Sequence, residues 1–132
     1  MTVEVAFRAV QTIDDESAET VWTARGTVET TENGWHLFYT EPSEDGADVS
    51  IMVRKKQVVI KRSGETVSRM ILETGHRHLC RYDTPYGKLN LYTNTTALRV
   101  TSTRIEAVYL LEMNGGYTTQ EIEIAIKEVS EC

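Results

Sequence analysis

Apolar and polar side chains alternate with a period of two along almost the whole of this chain, and that feature most restricts what it can fold into. The clearest case is Ile122, Ile124 and Ile126 set against Glu121, Glu123 and Lys127. On extended backbone, residues two apart share a face, so each run of this kind reads as a strand with one buried side. Residues 2 to 13 repeat the pattern, with Val3, Val5, Phe7 and Ala9 opposite Glu4 and Arg8. Residues 19 to 30 do so again, with Trp22, Ala24, Gly26 and Val28 opposite Thr23, Arg25 and Thr27. Gly26 inside that strand predicts a bulge or bend.

Turn chemistry separates the runs. Asp14-Asp15-Glu16-Ser17 interrupts the first two, and Glu32-Asn33-Gly34 reads as a hairpin turn because Asn-Gly accepts positive φ at low cost. Further strands fall at about 35–41, 48–54, 57–62, 65–73, 96–103, 105–113 and 119–129, with Lys55-Lys56, Ser63-Gly64 and Gly115-Gly116 as breaks. Residues 35–41 are bulky on both faces, so period alone does not say which side is inside. The loop 42–47 is the most polar and least regular part of the chain. Residues 65–74 offer the best helical alternative, but Thr66, Val67 and the flanking Gly64 and Gly75 favour a strand.

The stretch 76–95 is a hairpin in its own right. His76, His78, Cys80 and Tyr82 point one way on its first arm; Leu89, Leu91 and Thr93 share a face on its second. Thr84-Pro85-Tyr86-Gly87 joins them, with Pro85 presetting φ and Gly87 accepting the left-handed conformation.

The run Tyr82-Asp83-Thr84-Pro85-Tyr86-Gly87-Lys88-Leu89-Asn90-Leu91, then Thr93 and Thr95-Thr96-Ala97-Leu98, resembles the signature hairpin of an uncharacterised bacterial family typified by YwiB. The resemblance implies a small calycin-like β-barrel, a relative in shape of lipocalins and streptavidin. It implies no activity and carries over no catalytic residue.

About ten strands in 132 residues make one domain, residues 1–132, with no linker or internal repeat. A meander of this length must deal with its two edges, and closing on itself removes them. The expected fold is therefore all-β: an antiparallel closed β-barrel of about ten strands, calycin- or lipocalin-like. An interior of that size is either filled by side chains or left open for one small ligand.

A formal charge of -6 argues against a nucleic-acid partner, since binding to phosphate backbones rests on Lys and Arg. The local exception, Arg54-Lys55-Lys56 with Lys61-Arg62, reads as a solvated hairpin end whose charges discourage edge pairing. The start MTVEVAFRAV is not built like a signal peptide, and no window approaches a membrane-spanning apolar run. Two cysteines, Cys80 and Cys132, do not form a disulfide framework, and Cys132 reads as a dangling thiol. These features lead to an expected cytoplasmic location.

Three constellations bear on function. His76-x-His78 places two imidazoles about 7 Å apart on one strand face, a geometry that two ligands of a metal site share, with His36 or an acidic residue as the third. The plainer reading is a hairpin with polar side chains hydrogen-bonded to their neighbours. Cys80 beside His78 would be a nucleophile only with an orienting acid that the sequence does not show, and a buried cysteine is more often a small hydrophobe. No GxSxG elbow, phosphate-cradling glycine loop or HExxH occurs. Last, Trp22, Trp35, Tyr39, Tyr82 and Tyr109, with Arg25 if it faces inward, His76 and His78, are the candidates for lining a ligand site in or at the mouth of the barrel. Filling the core is an equally good use for each aromatic. The expectation is a non-enzymatic protein without a cofactor that holds a small, partly hydrophobic ligand. A protein-interaction or self-associating module, such as a homodimer, is the alternative, and a metal-dependent enzyme built on His76 and His78 the third.

Overall fold

The computed structural model describes residues 1–43 and 46–129; Cys132 lies outside the described residues. Ten strands follow one another: β1 (Thr2–Ile13), β2 (Glu16–Thr31), β3 (Gly34–Thr40), β4 (Asp48–Arg54), β5 (Val58–Ser63), β6 (Val67–Leu72), β7 (Arg77–Thr84), β8 (Gly87–Val100), β9 (Arg104–Met113) and β10 (Gly116–Glu128). Each pairs antiparallel with its sequence neighbours, and β1 pairs with β10 to close the barrel. In the closing register Val5 faces Ile126, Phe7 faces Ile124 and Ala9 faces Ile122, so the two most regular alternations in the sequence put their apolar sides on the same side of the wall. The three isoleucines are nearly solvent-free, the outcome expected of a ribbon sealed against itself.

Several turns differ in detail from the sequence reading. The β1–β2 hairpin turns on Asp14 and Asp15 alone, both at positive φ (46° and 69°), which lets β2 begin at Glu16. The β9–β10 hairpin does the same with Asn114 and Gly115 (51° and 81°) rather than with the two glycines. Paired positive φ values suit a two-residue hairpin loop. At the β2–β3 turn neither Asn33 nor Gly34 has positive φ; Gly34 is already paired with Thr31. A Cβ on Gly34 would lie 1.8 Å from the Val53 carbonyl oxygen, so glycine is required there by the approach of β4. Gly26 is similar. Its strand runs in unbroken register with β1, without a bulge, and a Cβ would come within 2.5 Å of the Phe38 carbonyl oxygen.

The bulge lies instead in β8, between Thr95 and Ala97. Leu91, Thr93 and Thr95 face inward before it and Leu98 and Val100 pack on the core after it. The change of parity makes one strand of 14 residues read as two in the sequence.

The two ends of the barrel are filled differently. At the end carrying the β2–β3, β4–β5 and β8–β9 connections, Val3, Val28, Trp35, Val53, Val58 and Ile105 are buried against one another. Trp35 closes this end and donates its indole N–H to the Thr101 carbonyl at 3.2 Å. The opposite end carries the β1–β2, β7–β8 and β9–β10 hairpins, and there the inward-facing Phe7, Ala9, Trp22, Ile60 and Met70 are only partly buried.

One seam interrupts the wall. β6 pairs with β7 only from Val67 to Arg69; beyond that its tail turns under β7 towards β8. Two buried threonines of β8 take over the lost backbone bonds. The Thr93 hydroxyl donates to the Ile71 carbonyl at 2.8 Å, and the Thr95 hydroxyl accepts the Glu73 N–H at 3.1 Å. Unpaired backbone groups inside a barrel are costly, so these hydroxyls make the seam tolerable.

Candidate functional site

The open end leads into a cavity of about 320 Å³. Alternation along eight strands builds it: Phe7 and Ala9 from β1, Trp22 from β2, Tyr39 from β3, Val49 and Ile51 from β4, Ile60 from β5 and Met70 from β6 face inward, with Tyr109 and Ile122 from β9 and β10. Phe7 stacks on Trp22 (centroids 4.7 Å apart, planes 12° apart), and Trp22 meets Tyr39 at a tilt (5.3 Å, 54°). Offset rings of this kind hold one another in place and present a flat apolar wall.

Two charged residues sit among the apolar ones. Glu41 follows Trp35, Leu37 and Tyr39 in inward parity, and Arg62 follows Val58 and Ile60. The Arg62 Nε donates to Glu41 Oε1 at 2.6 Å, with both side chains mostly removed from solvent (31% and 20% exposed). In such surroundings each charge needs the other. Gln11 and Gln120 add neutral hydrogen-bonding groups to the same lining. The cavity thus has an apolar floor and walls and a polar rim whose Arg62–Glu41 pair is neutral overall.

Behind this wall, Tyr82 and Cys80 share the inward face of β7 and bear on each other's protonation. Burial pushes the Cys80 thiol up to about 11, outweighing the lowering influence of Tyr82. Burial, reinforced by Cys80, raises Tyr82 to about 12, while Arg62 pulls in the opposite direction. Burial likewise pushes the Tyr39 and Tyr109 hydroxyls well above the ordinary phenol range. At neutral pH all four groups keep their protons. A fully buried thiol held as the thiol is a poor nucleophile.

Of the residues singled out from sequence, Trp22, Tyr39 and Tyr109 line the cavity. Tyr82 is inside the barrel next to Arg62 and Cys80 but behind the lining. Trp35 is in the closed end, away from the cavity. Arg25 faces outward, because the parity that buries Gly26 and Val28 turns it to the outer wall, where it borders an open cleft of about 730 Å³. His76 and His78 lie at the β6–β7 turn, on the closed-end side. Their rings are 6.2 Å apart, and His78 Nε2 is 2.8 Å from Glu73 Oε1. The hydrogen bond from His78 holds the Glu73 carboxyl below its ordinary range, with His76 adding to the effect. His36, the proposed third ligand, is on the outer wall with Ser50 Oγ at 2.7 Å. Among the described residues no group of three His, Cys, Asp or Glu side chains is placed to hold a metal ion.

Sequence reasoning missed Phe7, Ile60, Met70, Glu41 and Arg62 as lining. For the last two a signal existed: a charged residue continuing the apolar parity of a strand marks a polar group inside a barrel.

No helix is long and apolar enough to cross a membrane among the described residues. No curated protein matches the chain. The crystal structure of the YwiB protein from Bacillus subtilis is similar, with a TM-score of 0.76 at 18% identity over 96% of this chain and 92% of that one. At that identity the likeness shows the fold alone, and the folds agree. A match to the domain of unknown function DUF1934 extends over residues 5–126, from Val5 in β1 to Ile126 in β10, and the chain belongs to that family.

Proposed function

We propose that this barrel is a non-enzymatic binding protein that holds a small, partly hydrophobic molecule in its open end. The observation that carries the reading is the unfilled interior. Side chains pack one end to exclusion, whereas the other keeps about 320 Å³ walled by Phe7, Trp22 and Tyr39. That volume is at the small end of the range for ligand pockets, which are mostly apolar with a few placed polar groups. Because Arg62 already has Glu41, the head of the ligand is better served by uncharged hydrogen-bonding groups than by an anion, which would have to displace the carboxylate. The elevated thiol and phenols support binding over nucleophilic chemistry.

Native mass spectrometry of protein purified from cells, beside a denatured sample, tests this directly. A small molecule should be released on denaturation and be absent from an Ile60→Trp variant, whose indole would occupy the cavity. Identical small-molecule content in parent and variant would remove the reading.

A second reading has its own observation. Ile13, Tyr86, Leu89, Met113 and Tyr117 are exposed apolar residues at or beside the hairpin turns of the open end. An apolar rim of this kind suits docking of another protein or a second copy. Under that reading, light scattering shows association that a Tyr86→Ser, Tyr117→Ser variant loses; a strict monomer at high concentration would rule out self-association.

A further inference from the structure

Outside the barrel, across the same strands, a different charge pattern stands on the outer wall. The lateral register sets Lys61 of β5 directly beside Arg69 of β6, and Arg69 directly beside Arg81 of β7. Neighbouring strands are about 4.8 Å apart, so three cations form an unbroken row roughly 10 Å long. Like charges directly opposite one another destabilise a sheet. The chain has 20 acidic residues against 14 basic ones, yet none is placed in this row. Four other cations are partnered: Arg8 with Glu19, Arg62 with Glu41, Arg77 with Glu112, and Arg104 with Glu106 and Glu123. Lys61, Arg69, Arg81 and Arg25 make no ion pair among the described residues.

These four cations border the outer cleft of about 730 Å³, together with the carboxylates of Asp48 and Asp83. Asp48 accepts a hydrogen bond from the Thr40 hydroxyl at 2.9 Å, and Asp83 is in cross-strand register with Lys88. Arg62 also borders the cleft but is paired with Glu41, so the cleft has four further cations against two carboxylates in a molecule whose sum is -6.

We propose that this cleft is a second binding site, for a small ligand with clustered oxyanions such as phosphate or carboxylate groups. Guanidinium forks match the paired oxygens of either group. A ligand confined to the cleft feels the local cations, because charges more than about 8 to 10 Å away are screened at physiological salt. A long nucleic acid needs many phosphate contacts from a molecule whose net charge is -6, which is why a small anion is the better occupant. The cleft shares Tyr39, Val49 and Arg62 with the lining of the interior cavity, but its row of cations is on the opposite face of the wall, and the proposal does not depend on what the cavity holds.

Titration calorimetry at low ionic strength tests the proposal with inorganic pyrophosphate, citrate and a short single-stranded oligonucleotide. Pyrophosphate or citrate should bind saturably, and whichever is tighter tells phosphate from carboxylate. An Arg69→Gln, Arg81→Gln variant should bind it at least tenfold more weakly while melting no lower than the parent, since its loss relieves repulsion. Asn90→Asp, which sets a carboxylate directly across from Arg81 without removing any cation, should also weaken binding. The cavity-filling Ile60→Trp variant should bind as the parent does. Absence of saturable binding by both anions, unchanged affinity in both charge variants, or tighter binding of the oligonucleotide would overturn the proposal. So would a parent dimer that the double variant dissociates, which would assign the row to a second copy.

Discussion

The two ends of this barrel are made from the same alternating strands and do opposite things. At the closed end Val3, Val53, Val58 and Ile105 have at most 1% of their surface exposed, and Trp35 spans the gap to Thr101. At the open end the inward positions carry Phe7, Trp22, Ile60 and Met70, large residues that nevertheless leave a cavity, and then Glu41 and Arg62. The contrast teaches that parity decides which side chains point inward, while filling is decided by how side chains from non-adjacent strands meet. Trp35 reaches across the axis; Trp22 is held flat against the wall between Phe7 and Tyr39. Two tryptophans in similar sequence patterns therefore serve different ends, one as plug and one as lining.

The largest expected effect breaks this contrast at its closed end. Ile105→Ala removes a fully buried side chain from tight packing and should cost about 3 to 4 kcal/mol. Ile60→Ala, the same deletion at the open end, should cost about 1 kcal/mol, because the side chain already borders empty space. Chemical denaturation measures both; equal losses would mean the two ends are packed alike. Next comes the rim. Glu41→Gln removes the carboxylate that accepts from Arg62 Nε in a half-buried site, with an expected loss of about 1 to 2 kcal/mol. Restoration by a second change, Arg62→Gln, would show that the pair rather than either side chain is what matters.

Much of this was readable in the sequence, and the exceptions have physical reasons. Period two and turn residues sufficed for the strand order and for closure, since Val5, Phe7 and Ala9 and Ile122, Ile124 and Ile126 must be hidden together. The number of strands was blurred at one point only: the bulge after Thr95 inverts parity within β8 and imitates a strand boundary. Three of the four aromatic lining residues were visible, because Trp22, Tyr39 and Tyr109 lie in plain inward parity, as does the missed Phe7. Trp35 has the same parity but the opposite end, a distinction that depends on which way each strand runs. Arg25 was judged by its chemistry when its parity already turned it outward. The Lys61–Arg69–Arg81 row was illegible because lateral register, not sequence spacing, brings the three together.

The seam offers a test of intermediate size. Thr93→Val keeps the shape of a buried side chain but removes the hydroxyl that serves the Ile71 carbonyl. Leaving that oxygen unsatisfied should cost about 1 to 2 kcal/mol, less than the closed-end deletion and comparable with the rim. Hydrogen exchange should show the loss concentrated in β6 and β7, where the ladder is already short. Uniform loss across all ten strands would indicate that the seam is no weaker than the rest of the wall.

The smallest effect concerns alkaline pH and distinguishes the buried phenols from their partners. Tyr82 is raised from 10 to about 12 in the folded protein, mainly by burial. Its neutral form is thus favoured by folding, and the native state holds a proton that the unfolded state releases first. Stability from this group is complete below pH 10 and is lost as pH rises through the window from 10 to about 12. Tyr39 and Tyr109 are raised in the same direction and add to the same loss. Tyr82→Phe removes one of these contributions, so its alkaline unfolding midpoint should move up by roughly a few tenths of a pH unit relative to its own stability at neutral pH. Tyrosinate absorbance followed beside circular dichroism reads this. If the parent's buried tyrosines ionise well before the barrel unfolds, the interior is wetter than its packing implies, and the division between a sealed end and an open one is less sharp than the geometry makes it.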